Sequence, residues 1–473
     1  MLNNRVKYVC FIALLYIAPL ALINADYYDD LNRSLTGYGW EQDGRFIASF
    51  IMSAMSFGTP LLPMSFIVKV ISTAIILISG HLIGICFFDG RKSLGTFFGL
   101  FALTSPFYIE NLSYTYDSIP MSISVLAGIL PFLFFRGRAF TPFSLMGLII
   151  ILGTYQASIV IYPIMVVCMV FRLYLNERKL SILTCAILPA ILMFIAYIIY
   201  SLIIQKLNIV PSRAGFVEIG SRTMEIIGVR IKSYEHMLTS LLSSRYLIPL
   251  TIYIVTLVVV SVYYITSQKK HGAADVLMMI ACTLFIFSFM FIPNIILKTM
   301  FMTPRTMIAY PFAMLPPIIL FSRIGGWSLK VINISLSLLI LYSFMLINVY
   351  SRSIKENIET TNFIGDSIYR DISSSANGKF TVAIHGEIRI SDRSSFLYKE
   401  IPFLHYLSPI YAKQGSYWSN LALFRVLRVY PLNYDKRAMP SCNGAYINRY
   451  GLYSIFKDGN NFDVFLNSNC IKN

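Results

Sequence analysis

With 473 residues, 56 % of them hydrophobic and 13 % charged, and a mean hydropathy of +0.65, the chain has the composition of a protein whose main solvent is lipid, which excludes an ordinary soluble enzyme. The formal net charge of +16 does not point to nucleic acid, because Lys and Arg fall mainly between apolar runs, where they orient spans in a bilayer. No CxxC or HExxH pattern occurs and the five His are scattered, so zinc is not expected, and no cofactor is called for, with metal dependence left open.

The chain opens with a basic, signal-like start followed by an apolar run, but it has no convincing small-x-small cleavage site and many further spans follow, so residues 8–24 read as a retained first helix. Further apolar runs at 64–87, 95–110, 118–135, 143–153, 157–172, 181–204, 246–266, 275–296, 307–322 and 331–349 bring the expected count to about 11 transmembrane helices. The basic clusters Arg5/Lys7, Arg91/Lys92, Arg136/Arg138, Arg172/Arg178/Lys179, Lys269/Lys270 and Arg323/Lys330 should stay cytoplasmic. The runs on either side of GTYQAS, residues 153–158, are then two short helices that turn at that hexapeptide. Residues 25–45, 110–117, 153–158, 205–245 and 297–306, and everything after about 350, fall on the outer side. GTFFG at 95–99 fits a small-xxx-small packing face, and 215–243 reads as an amphipathic outer helix.

Composition changes after residue 350, where Ser, Asn, Tyr and charged residues replace the apolar runs and KFTVAIHGEIRI alternates like a strand. The expected organisation is a membrane domain over 1–350 and a small α+β domain over 351–473. Cys442 and Cys470 form the only cysteine pair in the polar tail, and a disulfide between them is plausible outside the cytosol.

Candidate chemistry lies in the outer loops. Asp26, Asp29, Asp30, Glu41 and Asp43 cluster behind the first span among Tyr27, Tyr28, Tyr38 and Trp40. This is either a solvated, capped loop with an interfacial aromatic belt or an acidic site that activates a hydroxyl. Asp29 and Asp30, the pair nearest the first span, are the leading candidates for a general base, with Arg33 tuning them and Glu41 in reserve. Glu110 and Asp117 flank aromatic residues in the second outer loop, where Asp117 could equally cap a helix. Tyr155 and Gln156 put two hydrogen-bonding side chains at the short-helix turn. Arg33, Arg45, Arg305 and Arg222 are candidates for an anionic phosphate, and Arg305 leads because it lies between apolar runs, where a charge is expensive without a partner.

YYDDLNR followed by GYGWEQDGR, then YTYDS, GTYQAS and PRTMIAY, resembles the type II family of bacterial and phage O-antigen glucosyltransferases, the serotype-converting enzymes. The likeness is most specific in the first outer loop and weakest in the tail. It implies a GT-C fold, undecaprenyl phosphate glucose as donor, and an O-antigen sugar hydroxyl as acceptor. Transfer would take place at the periplasmic face of the inner membrane, among membrane lipids, with an acid of the first outer loop as catalyst. Trp40, Glu110, Asp117, Tyr155 and Gln156 would line the substrate site. A polysaccharide polymerase or ligase, or a lipid-linked sugar flippase, is the alternative; a flippase would put charges inside spans and show repeat symmetry, whereas here the spans hold almost no charges and no repeat is visible.

Overall fold

The computed structural model describes residues 4–23, 25–209, 217, 220–268, 270–297, 302–376, 380–414, 420, 423–425, 427, 445–449 and 451–467. Cys442 and Cys470, the expected disulfide pair, lie outside the described residues. The chain divides into two compact units, one of residues 1–24 and 37–348 and the other of residues 25–36 and 349–473.

The first unit is all helical. Eight of the helices among the described residues are long and apolar enough to cross a membrane: Asn4–Ile23, Ser65–Phe87, Gln156–Glu177, Leu183–Lys206, Thr223–Ser267, Gly272–Ile296, Pro304–Ile324 and Gly326–Ser373. The remaining three expected spans appear as the shorter helices Lys92–Leu103, Ser118–Phe134 and Phe140–Thr154, and Phe46–Met55 is a fourth short apolar helix that the sequence did not single out. The protein is a multi-pass helical membrane protein. Pro304–Ile324 is buried over 83 % of its apolar stretch, whereas Leu183–Lys206 and Gly272–Ile296 are buried over only 28 %. These outer helices expose Phe194, Leu202, Leu277 and Leu284, side chains that only a lipid solvent tolerates in such density.

Two features explain the tightest packing. Gly80 and Gly84 of Ser65–Phe87 face Gly95 and Gly99 of Lys92–Leu103, and a Cβ on any of these four would approach backbone of the other helix to 3.0 Å or closer. The GTFFG face is therefore occupied within the chain, where small residues let two backbones touch. The Thr223–Leu241 helix, the described part of the expected outer helix, continues into Leu247–Ser267 through a kink at which Arg245 takes φ +65°. Its Arg230 is buried and donates to the carbonyls of Asn294, Ile295 and Leu297 at 3.3, 2.7 and 2.6 Å, closing the C-terminus of Ile292–Ile296. That is the end of a helix where a cation is favoured.

The second unit is α+β. Strands β1 (Thr381–Gly386), β2 (Ala445–Arg449), β3 (Tyr453–Asp458) and β4 (Asn461–Leu466) form a sheet in the order β1-β4-β3-β2, with β1 parallel to β4 and the other pairs antiparallel. One sheet face, with Val382, Ile384, Ile455, Phe462 and Val464, packs on Ile364, Ile368 and Ile372 of the long helix, residues four apart on one stripe. The sheet's other face carries His385 and Asp463, both buried, and β1 is covered on both sides, so the alternation in KFTVAIHGEIRI marks a strand and not a half-solvated one.

Residues 25–36 are built into this second unit. The Tyr27 hydroxyl donates to the Leu407 carbonyl at 2.7 Å, Leu31 packs on Tyr411 and Ile358, and Asp26 accepts from Ser34 at 3.2 Å and faces Arg425 at 3.4 Å.

Candidate active site

The first unit gathers two arginine–carboxylate pairs around one tyrosine. Arg45 ends the loop that begins with Trp40, and four hydrogen bonds and the buried Trp40 ring fix where it points. Trp40 is buried against Ala48, Met52, Val68, Tyr116 and Ile119, so its ring anchors the loop, and its carbonyl accepts the Arg45 N–H at 3.1 Å. Gln156 donates to the Asp43 carbonyl at 3.2 Å and to the Tyr200 hydroxyl at 2.8 Å, and Tyr200 in turn donates to the Gly44 carbonyl at 3.1 Å. Gly44 sits at φ +75°, and a Cβ there would come within 2.6 Å of the Tyr200 oxygen, so the turn demands glycine. The Arg45 guanidinium then lies 3.6 Å from Asp117 Oδ1 and 5.4 Å from the Tyr155 ring centroid.

Asp117 sits at the N-cap position of Ser118–Ile129 with helical dihedrals and makes no side-chain capping bond. Of the two readings open in the sequence, the carboxylate takes the arginine and leaves the helix end alone. Glu110, on the short helix Tyr108–Ser113, is buried and accepts the backbone N–H of Arg305 at 2.8 Å, with the Arg305 Nε 3.9 Å from its other oxygen. Arg305 lies on the turn Pro304–Met307, stacks over Tyr114 at 4.6 Å, and offers its carbonyl to the Tyr155 hydroxyl at 3.1 Å. The turn at Tyr155–Gln156 thus clamps both arginine-bearing segments at once.

The cluster is charge-paired and mostly buried. The Tyr155 phenol is raised to about 12 on balance: burial raises it most, Arg305 and Arg45 lower it, and Glu110 and Asp117 raise it. All four charges therefore act on one hydroxyl, which stays protonated at any physiological pH. Arg45 and Arg305 side chains are 16 and 13 % exposed, so each keeps an edge that a ligand can reach. The Arg45 Nε is itself buried without a hydrogen-bond partner.

The other expected site residues are distributed over both units. Asp29, Asp30 and Arg33 belong to the second unit on the helix Asp29–Thr36, where Asp30 is fully buried and Arg33 Nη1 lies 3.9 Å from it. Asp29 is half-buried. Glu41 is exposed on the turn Glu41–Asp43, four residues before Arg45, with its carboxylate folded over Gly39. Arg222 is exposed at the start of Thr223–Leu241 and makes no ion pair among the described residues. Two contributors escaped the sequence reading: Tyr114 under Arg305, and Tyr200, a hydroxyl near the end of the helix Ile187–Lys206.

Residues 8–316 match the family described as Glucosyl transferase GtrII. The chain belongs to that family. All six members of the cluster, Arg45, Glu110, Asp117, Tyr155, Gln156 and Arg305, fall inside the matched GtrII region, whereas most of the second unit falls outside it. A relative described as an uncharacterized 55.3 kDa protein in gtrB 5'region, from Salmonella phage P22, is 27 % identical over 259 residues, which cover 52 % of this GtrII chain and 53 % of the relative. The chain thus spans about half the length of that relative. No solved structure matches it.

Proposed function

We propose that this chain transfers glucose from undecaprenyl phosphate glucose to a sugar hydroxyl of O-antigen, at the periplasmic face of the bacterial inner membrane. Membership of the glucosyl transferase family supports the reaction class. The observation that carries the site is the pair of guanidiniums held around Tyr155 by Asp117 and Glu110, at one end of a 22-residue helix, Gln156–Glu177, about 33 Å long and so matched to the bilayer core. Away from the cytosol no nucleotide sugar is supplied, so the donor must arrive on a lipid, and its phosphate meets water at such a helix end.

In the reaction the acceptor oxygen bonds to the anomeric carbon as the bond from that carbon to the phosphate oxygen breaks. The electron pair leaves with undecaprenyl phosphate, whose headgroup gains one negative charge, and Arg45 and Arg305 stabilise that charge as it develops. Both side chains are preset by their stacking on Tyr155 and Tyr114, so little reorganisation accompanies the step. The acceptor proton passes to a carboxylate. Glu41 suits this task because it is exposed and shares a unit with both arginines, while Asp30 is fully buried against Arg33 in the other unit.

The test is glucose transfer by Glu41→Gln, Asp29→Asn and Asp30→Asn proteins that insert normally. A drop on the order of a hundredfold or more in Glu41→Gln alone is the expected result. A drop confined to an Asp29 or Asp30 variant moves the base to the second unit, and near-native rates in all three refute acid-assisted transfer from the first loop.

A further inference from the structure

A second polar centre occupies the other end of the same helix. Arg172 follows Gln156 by 16 residues on Gln156–Glu177, roughly 24 Å away at 1.5 Å per residue. There a cavity of about 200 Å³ is lined by Cys86, Phe132, Phe135, Arg136, Met169 and Arg172. It forms where the ends of Ser65–Phe87, Ser118–Phe134 and Gln156–Glu177 converge, and it plays no part in the chemistry assigned to Arg45 and Arg305.

Its charge is not balanced locally. Arg136 pairs with Glu177 at 2.5 Å, Arg172 with Asp89 at 3.1 Å, and Arg178 with Asp275. Arg323 donates to the Arg172 carbonyl and to Asn176, with Asp89 within electrostatic reach, and Arg91 donates to the Ser322 carbonyl, so neither makes an ion pair of its own among the described residues. Five guanidiniums thus share three carboxylates among the described residues, and the Arg172 Nε is buried without a hydrogen-bond partner. A cavity with a cationic rim and aromatic and thioether walls, at the level where a membrane helix ends, matches a molecule with a phosphate at one end and hydrocarbon at the other.

We propose that this cavity binds one anionic diacyl phospholipid, its phosphate on Arg172 and Arg136 and its glycerol and upper acyl chain on Phe132, Phe135 and Met169. The apolar wall argues for a lipid over a free anion, since an inorganic phosphate would leave Phe132, Phe135 and Met169 without a partner. The inference stands independently of the glucosyl-transfer reading, and its test measures no transfer.

The experiment is native mass spectrometry of the delipidated full-length protein titrated with phosphatidylglycerol or phosphatidylcholine. The expected result is one phosphatidylglycerol bound at least tenfold more tightly than phosphatidylcholine. Arg136→Gln and Arg172→Gln should lose this preference. Met169→Trp, which fills the cavity and leaves both guanidiniums in place, should lose the bound lipid, and Arg138→Gln, an exposed arginine that does not line the cavity, should retain it. Equal uptake of the two lipids, or native occupancy in both Arg136→Gln and Met169→Trp, overturns the proposal. So does displacement of phosphatidylglycerol by millimolar inorganic phosphate or by equimolar undecaprenyl phosphate, because either result gives the site to a different ligand.

Discussion

Replacing Arg305 by Gln separates a catalytic arginine from a merely structural one, because Arg305 pairs with Glu110 and is the side chain proposed to meet the departing phosphate. As an electrostatic partner of the departing phosphate it should contribute the equivalent of one preorganised charged donor, about 2.7–4 kcal/mol, or a loss of 10²–10³ in turnover. As a partner of Glu110 it also balances a carboxylate that is 1 % exposed. Breaking a buried pair costs about 3–5 kcal/mol at the limit. Here the Nε to Oε1 distance is 3.9 Å, Arg305 is 13 % exposed, and the Arg305 backbone N–H still reaches Glu110, so the cost should fall to about 1–2 kcal/mol. The assay is transfer of labelled glucose in membranes alongside thermal stability of the purified protein, for Arg305→Gln, Glu110→Gln and the double variant. The single Arg305 variant should lose both stability and activity. The double variant, which leaves no buried unpaired charge, should recover stability and stay at least a hundredfold less active than the native chain. Recovery of activity in the double variant refutes a role for Arg305 on the phosphate.

Other outcomes follow from the packing. Gly80→Val or Gly99→Val drives a side chain into the facing backbone and should destabilise the bundle by about 3 kcal/mol or more, read as lost thermal stability and poor insertion, whereas Gly228→Ala, inside the Thr223–Leu241 helix with open space around it, should not lower thermal stability. Truncation after Tyr350 removes Tyr411 and Leu407, the partners of Leu31 and Tyr27, and should abolish transfer while the spans still insert; full activity of the truncated chain contradicts any role for the second unit.

Hydropathy and charge made the membrane class and the eleven apolar segments legible, because burial in lipid imposes long uninterrupted apolar runs. GTFFG announced a close helix contact, and its partner on Gly80 and Gly84 came from the adjacent helix. Pairings across long separations were not legible. Arg305 meets Glu110 across 195 residues, and nothing local in either segment names the other. Asp117 looked like a helix cap because its residue type and place are those of one, and only the approach of Arg45 decides otherwise. The YYDDLNR segment illustrates the same point. Its acids sit directly behind the first span in sequence, yet Tyr27 and Leu31 bind side chains and backbone some 380 residues away, so the helix that carries Asp29 and Asp30 joins the second unit.

The central claim is that this chain consumes a lipid-linked glucose. The direct measurement is reconstitution of the purified protein in vesicles with undecaprenyl phosphate [¹⁴C]glucose and lipid-linked O-antigen. The account predicts that label moves from the polyprenyl lipid to the polysaccharide, releases undecaprenyl phosphate in equal amount, and does so only with active protein. Intact donor after prolonged incubation with native protein and acceptor, under conditions where the protein remains folded, would contradict it.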